Sequence, residues 1–574
     1  MINQEIAKIF NNIAIYLEMD DISFKPQAYE KAAITLESLA EDVERIYDKK
    51  GIKGLDELPG IGASMAEKIA EYIRTGKIKE YERLKKSLPI ELDELISVEG
   101  LGPKKIKALY KKLKIKNLKD LEEAGLSHKI ASLPGFGEKT EKNILEGIKF
   151  VKRGHGRFLL GEIFLTLKDI YEKLKSLKEV ERIDYAGSIR RMKETIGDVD
   201  FLVISDKPSK VMDFFVKLPE VAKVWARGGT KASVRMKDGF DMDIRVIPPK
   251  SYGAALQYFT GSKEHNIALR KIAIDKGLKL SEYGLFQGNK IVAAKTEEEV
   301  YAKLGLEFIP PEMRENTGEI ELSQKNKLPE LIKLKDIKGD LHAHSDWNGG
   351  ENSIEEMAQA AISAGYEYIG IADHTKFLRI ENGLDEKQLE QRNKEIDKLN
   401  KNFAKKNFRI LKGCEANIME DGSIDIKDEA LAKLDFVIAG IHSQFKMPKE
   451  KMTKRIIKAM KNKHVDIISH PTGRILKHRD EFEVDFSQIL KAAKKTGTIL
   501  EINAHPYRLD LKDTNIRKAK EAGVKMIINS DAHEKAHLYL MEYGVAQARR
   551  GWAEKKDIVN AWPLEKFLQA MKKD

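Results

Sequence analysis

The sequence predicts a multidomain chain of mixed class: an all-α N-terminal region, an α+β middle built on a mixed sheet, and an α/β C-terminal barrel. Three observations carry this. Residues 1–150 place apolar side chains at helical spacing, as in Ile6, Ile9, Phe10, Ile13 and Leu17, with scarcely any strand signal. From about 155 the period changes, and VERIDYAG, DVDFLVIS, FDMDIRVIP and NKIVAA read as strands among helices. Beyond 336, short apolar runs ending in a histidine or an acid recur at about the length of one βα unit.

The 574 residues suffice for roughly three to five ordinary domains. With 42% hydrophobic and 34% charged residues, collagenous, mucin-like and wholly disordered classes are excluded. No uncharged apolar run approaches the ~18 residues of a spanning helix, and Met1-Ile2-Asn3-Gln4-Glu5 has no basic segment ahead of an apolar one. A cytoplasmic protein without a membrane partner is expected. Cys414 is the single cysteine, so any metal must be held by His, Asp and Glu. The net charge of +11 divides as 0 over residues 1–150, +6 over 151–318 and +5 beyond. Global charge therefore says little, but Lys104 to Lys119 holds eight lysines and no acid.

Within the helical region one pattern recurs: LPGIG at 58–62, VEGLG at 98–102 and LPGFG at 133–137, each between two helices. Glycine permits the tight turn, and the helix that follows points free N–H groups outward. Phosphate fits such a place, so Gly60, Gly62, Gly100, Gly102, Gly135 and Gly137, with Lys104, Lys105 and Lys139 beside the turns, read as a grip on a DNA backbone without sequence readout.

In the middle region GSIRRMKETIGDVDFLV starts at 187 and DMDIRVIP at 241. Asp198 and Asp200 lie two apart, hence on one face of a strand, and Asp243 sits on a second strand able to pair with it. Clustered carboxylates call for divalent cations with oxygen ligands, Mg²⁺ or Mn²⁺. Gly187, Ser188 and the neighbouring arginines offer donors to phosphate oxygens, and the set matches phosphoryl transfer by two metals.

These motifs, followed by YFTGSKEHNIALR at 258–270, resemble the family X DNA polymerases over residues 1–318. The resemblance implies a nucleotidyltransferase-type palm in which Asp198, Asp200 and Asp243 hold the metals, Asp243 lying near the primer 3′-hydroxyl. It assigns Gly187, Ser188, Arg191 and Gly197 to the triphosphate, Tyr258, Phe259 and Gly261 to the sugar side, and Asn266 and Arg270 to the base and template side. The N-terminal helices resemble the family's DNA-end-binding domain, where a lysine forms a Schiff base with an abasic sugar. Lys68 falls at that lysine's position, while the nearby family lysine is Ser64 here.

Ten of the thirteen histidines lie beyond 340. His342 and His344, His374, Glu415, His442, His470, and Asp531 with His533 all fall beside short apolar strands, read as their C-terminal ends. Seven or eight βα units close a barrel, and barrels carry their chemistry at that end. Eight such donors exceed one ion's needs and suit two or three Zn²⁺, Mn²⁺ or Fe²⁺ ions. The series resembles the PHP family of polymerase-associated domains and histidinol phosphatases over residues 336–570, which implies a distorted (β/α)7 barrel that hydrolyses phosphate esters. One departure stands out. Where that family has an aspartate after the first His-x-His, this chain has Gly349, so a third ion is expected to borrow Asp346, Asn348, Glu351 or water. His464, His478, His505 and His537 lie outside the pattern and read as structural or surface residues.

Together the two resemblances imply a monomeric gap-filling polymerase of DNA repair acting on gapped, nicked or primer-template DNA with dNTPs, carrying a 3′–5′ exonuclease and an abasic-site endonuclease. The alternatives are a repair nuclease or phosphoesterase with weak polymerase activity, and a DNA-end-binding scaffold. The expected divisions are 1–90 for the end-binding helices, 91–150 for two further hairpins, 151–249 for the palm, 250–318 for a thumb-like part, 319–335 for a linker and 336–574 for the PHP domain.

Overall fold

A computed structural model describes residues 2–22, 24–39, 42–58, 60–98, 101–152 and 157–571. The chain forms two compact units: the first comprises 1–157, 263–280 and 285–291, the second 158–262, 281–284 and 292–574.

The first unit is helical, as expected. One apolar core runs from Ile6 through Ile69 and Leu109 to Ile148, so the segments divided at residue 90 share it. The hairpins repeat one construction. Ile61, Leu101 and Phe136, each between two glycines of a hairpin, are buried in that core, and the second glycine precedes helices Ala63–Thr75, Pro103–Leu113 and Glu138–Lys152. Burying this one apolar side chain fixes the turn against the core and leaves the helix start at the surface. Gly60 and Gly135 take the left-handed conformation, with φ of 77° and 84°. Gly102 does not: at φ −83° and ψ 169° it is extended, which any residue adopts. Its turn function is therefore not what requires glycine there. Gly100 lies outside the described residues.

The second unit holds a five-stranded mixed sheet ordered Arg182–Ala186, Asp198–Ile204, Asp241–Val246, Lys231–Met236, Val221–Arg227. The second and third strands are parallel and the remaining pairs antiparallel. Along Asp241–Val246 the alternation is clean, with Met242, Ile244 and Val246 buried and Asp241, Asp243 and Arg245 turned the other way.

Beyond it, parallel strands alternate with helices. Gly339–Ala343, Tyr368–Ile371 and Arg409–Lys412 form one sheet; Glu415–Asn417, Ile438–Gly440, Ile467–Ile468, Ile499–Asn503 and Met526–Asn529 form another. Single parallel bridges, His374 with Glu415 and Ala343 with Ala532, join the sheets at their edges. The expected strand order is present, arranged as two sheets that these bridges join. The interruption falls at Gly413–Cys414, where the Arg392 guanidinium takes the Gly413 carbonyl and the Phe436 ring fills the space a Cβ would need. Glu415 consequently opens a strand, and His342 lies within one; these two do not follow a strand end as the sequence pattern suggested.

The stretch expected to be a linker is not one. It contains helix Glu319–Gln324 and buries Ile320, Leu331 and Ile332, with the Ile332 N–H bonded to the Ala553 carbonyl at 3.0 Å. Its polar residues hid three apolar anchors. The mixed sheet and the parallel sheets accordingly belong to one unit. The Phe164 and Tyr543 rings meet edge to face at 5.6 Å, Arg474 pairs with Glu194 at 2.7 Å, and Arg550 donates to the Arg191 carbonyl at 2.9 Å and to Glu315 at 3.1 Å.

Two candidate metal-dependent active sites

The first site is made by strand register. Asp200 stands directly opposite Asp243 on the parallel neighbour, and Asp198 precedes Asp200 on the same face. Burial raises the Asp200 carboxyl to about 7, with the charges of Asp198 and Asp243 adding to it. Lys231 Nζ lies 2.9 Å and Arg245 3.3 Å from Asp243 Oδ2, so that acid already has cations. The result is three convergent carboxylates, one of which is costly to ionise without added positive charge. A divalent cation held by oxygen donors fits this set.

Ala186 pairs with Asp200, and the next residue, Gly187, lies so close that a Cβ would come within 3.2 Å of Asp200 Oδ2. Ser188 follows in the short helix Gly187–Arg190, and Gly197 joins the strands on either side of it. The two arginines differ. Arg190 forks onto Glu297 at 2.9 and 2.6 Å, a carboxylate shared with Arg314 at 2.6 Å, which marks it as a buried strut. Arg191 donates to the Thr260 carbonyl and lies 3.1 Å from Glu315. Tyr258 and Phe259 stand edge to face at 5.2 Å on helix Tyr252–Thr260, which ends at Gly261, and the Arg245 guanidinium covers the Phe259 ring at 4.7 Å. Asn266 and Arg270 are one turn apart on helix Lys263–Asp275 of the first unit, with Arg270 Nε donating to the Asn266 carbonyl at 3.3 Å.

In the first unit, Lys104 pairs with Asp21 at 2.6 Å; both are exposed, so the pair is worth little. Lys105 follows on the same helix, Pro103–Leu113. Lys68 is more committed: its ammonium contacts Ser64 Oγ at 2.9 Å and Glu80 at 3.3 Å, and Glu80 also accepts from the Tyr29 hydroxyl at 2.7 Å.

The second site gathers every histidine and acid of the C-terminal series. Glu415 is its centre. Its Oε2 lies 2.9 Å from His374 Nδ1 and 3.1 Å from His342 Nε2, while Oε1 lies 3.1 Å from His470 Nε2 and 3.3 Å from His442 Nε2. Asp531 Oδ1 stands 3.4 Å from His344 Nε2, 3.5 Å from His342 Nε2 and 3.8 Å from His533 Nδ1. Burial opposes charge on Glu415 and Asp531, yet the surrounding imidazoles hold both carboxyls well below their ordinary range. His342 Nε2, His374 Nδ1, His470 Nδ1 and both nitrogens of His344 are buried without a hydrogen-bond partner. Buried nitrogens are rarely left so. A two-sided carboxylate among orphaned imidazole nitrogens suits more than one divalent cation, and three donor groups lie within 4.8 Å: His342–His344–Glu415, His374–Glu415–His442 and His344–His374–His533.

Behind these donors stand residues the sequence reading missed. Glu501 accepts from His342 Nδ1 at 2.7 Å and from the His470 N–H at 2.7 Å; Asn417 Oδ1 meets His442 Nδ1 at 2.7 Å. Such partners fix the tautomer and aim of a ligating imidazole. Asp373 takes the Ser345 N–H at 2.6 Å and pairs with the fully buried Arg392 at 3.0 Å, pinning the His-x-His loop. A charged residue inside an otherwise apolar parallel strand, as in ILEIN, was the available signal. His537, read as peripheral, accepts from the His533 N–H through Nδ1 at 3.3 Å, and its ring lies 5.7 Å from that of His505.

Family models match the same parts: a helix-hairpin-helix domain over 1–78, a SAM-like helix-hairpin-helix tandem over 92–149, a DNA polymerase beta thumb over 255–315 and a PHP domain over 340–505. A DNA polymerase/3′-5′ exonuclease PolX of Bacillus subtilis is 41% identical over 580 residues, covering 99% of this chain and all of the relative. A probable phosphatase of Caldanaerobacter subterraneus is 41% identical over 134 residues, 22% of this chain and 50% of its own, and one of Acetivibrio thermocellus 31% over 204 residues, 34% and 78%. With one relative matched from end to end and both the thumb and the PHP domain recognised, the chain belongs to the family X DNA polymerases that carry a C-terminal PHP domain.

Proposed function

We infer that the chain is a gap-filling DNA polymerase of DNA repair with a 3′–5′ exonuclease on the same polypeptide. The carrying observation is the register that sets Asp200 beside Asp243, in a chain alike over its full length to a polymerase/exonuclease. Asp198, Asp200 and Asp243 hold Mg²⁺ or Mn²⁺, which, when bound, supplies the charge that activates a 3′-hydroxyl and steadies the departing pyrophosphate. Asp243 faces the hydroxyl, with Lys231 Nζ 2.9 Å from its Oδ2. Ser188 and Arg191 hold phosphate oxygens; Arg191 exchanges Glu315 for them. Tyr258 and Phe259 present a rigid edge to the sugar, and Asn266 and Arg270 keep the base and template roles that the resemblance assigns them. The hairpins hold the duplex by its backbone.

At the other site Zn²⁺, Mn²⁺ or Fe²⁺, which the histidines with Glu415 and Asp531 would hold, would supply Lewis acidity when bound. Glu501 and Asn417 hold His342 and His442 in the ligating tautomer. A Schiff-base role for Lys68 would require its amine to leave Ser64 and Glu80, which it contacts at 2.9 and 3.3 Å. A small-molecule phosphatase is the second reading, favoured by the phosphatases that match the PHP part. Incubation with a gapped primer-template, with and without dNTPs, tests both activities on one gel: extension with dNTPs and shortening without them are expected. The absence of both products would refute the reading, and a phosphomonoester that blocks shortening would favour the second.

A further inference from the structure

The donors at the barrel mouth are unevenly charged. Glu415 enters two of the three donor groups, whereas the third, His344, His374 and His533, holds imidazoles alone. Asp531 stands 3.4 Å from His344 Nε2 and 3.8 Å from His533 Nδ1 but is shared with His342 at 3.5 Å. Glu415 is likewise shared among four histidines. The third group thus has no carboxylate of its own, and sites for a dication ordinarily include one. Asp346, Asn348 and Glu351 are the nearest polar residues in sequence. The fold brings a different one.

Loop 375–384 folds back on its own start, the Leu384 N–H reaching the His374 carbonyl at 2.8 Å. Within it the turn Arg379–Glu381 delivers Glu381 to Gly349. A Cβ built on Gly349 would lie 2.9 Å from Glu381 Oε2. An aspartate's own carboxylate oxygens lie roughly 2.4 Å from its Cβ by ordinary bond lengths. The Glu381 carboxylate therefore occupies nearly the shell that an aspartate at 349 would fill. Asn348 ties the two pieces together: its Oδ1 accepts the His374 N–H at 3.0 Å and its Nδ2 donates to the Glu381 carbonyl. Among the described residues no lysine or arginine pairs with the Glu381 carboxylate, although the chain carries 102 of them. Asp346 is exposed, its N–H bonded to the Asn352 carbonyl at 2.9 Å, and Asn348 is used as above.

We propose that Glu381 is the carboxylate ligand of a further divalent cation held with His344, His374 and His533, the loop supplying from position 381 what Gly349 lacks. This rests on reading the barrel mouth as a metal centre. The departure at Gly349 is then no deficit: glycine leaves the room that the glutamate enters.

The test is metal content of the full chain, loaded with Mn²⁺ or with Zn²⁺ and dialysed against stepped free-metal concentrations, with thermal melts to confirm folding. Wild type should hold one more ion per chain than Glu381→Gln, or bind its weakest ion about 10 to 100-fold more tightly, as loss of a site's supporting group commonly costs. Glu351→Gln should match wild type. Gly349→Asp combined with Glu381→Ala should recover the ion, since the new side chain enters the vacated space. A folded Glu381→Gln with wild-type content, or a loss seen only in Glu351→Gln, would overturn the proposal and leave the metal centre standing. A wild type that binds neither metal would overturn the underlying reading as well.

Discussion

The two sites solve one problem, collecting negative phosphate chemistry around cations, by opposite means. In the mixed sheet two strands suffice: a spacing of two and a register of zero bring Asp198, Asp200 and Asp243 together at an open face. At the barrel mouth the donors come from six chain segments spread between His342 and His533, most of them buried, with Glu501 aiming His342, Asn417 aiming His442 and Asp373 pinning the loop that follows His344. A site made by local register needs little support. One assembled from distant loops depends on the residues behind its ligands.

The sharpest way to break this contrast is to remove one ligand from each site. Asp243→Ala should lower primer extension on the order of 10³-fold or more, since several kcal/mol of charge stabilisation go with the carboxylate, and leave shortening intact. Asp531→Ala should do the reverse. Gel assays with both variants check it, and loss of both activities in either would refute two independent centres.

The next effect concerns support. Glu501→Gln should weaken metal binding at the histidine site by about 10 to 100-fold without touching extension, because His342 loses the carboxylate that orients it. Titration with Mn²⁺ reads this directly; an unchanged affinity would mean the ligands hold themselves.

A smaller effect separates the sites by pH. The folded Asp200 carboxyl lies at about 7, above its ordinary value, so its protonation stabilises the metal-free fold at low pH and that contribution is lost as pH rises through 7. In chelator, Asp200→Asn should therefore raise the melting temperature at pH 8, by roughly 2–4 °C per kcal/mol relieved, and make no difference near pH 4. An equal gain at both pH values would point to a cause other than charge.

Smallest is the hairpin effect. Gly135→Val forces a β-branched residue into φ 84°, at a cost of about 1–2 kcal/mol, whereas Gly102→Val meets an extended backbone with open space around it. Binding to DNA of unrelated sequences should weaken about tenfold for the first and less for the second. A sequence-dependent loss would contradict a backbone grip.

How far each site could be read from sequence follows the same contrast. Period-two spacing makes Asp198 and Asp200 a pair on sight, and the repeated apolar-run-then-histidine pattern announces the barrel ligands as a series. Their supports leave weaker traces. Glu501 sits inside ILEIN, where a strand explains every neighbour, and Glu381 lies 32 positions from the glycine it serves, a proximity only the returning loop creates. Gly102 misleads for a related reason: the motif shows which glycines recur but not which backbone angle each adopts. The 319–335 stretch reads as a linker because burial of Leu331 and Ile332 depends on a partner more than 200 residues away.

That last contact belongs to a broader joint, in which Phe164 meets Tyr543, Glu194 meets Arg474, and Arg550 reaches the Arg191 carbonyl. Elements so joined lose their order together. Any ion that favours the folded barrel mouth then lends its binding free energy to the whole assembly, ~2.7 kcal/mol at a free concentration one hundred times its dissociation constant. The polymerase strands thus inherit thermal resistance from a cation that none of their side chains touches. Metal scarcity, which acts first on the nuclease, becomes by the same linkage a tax on the lifetime of the polymerase.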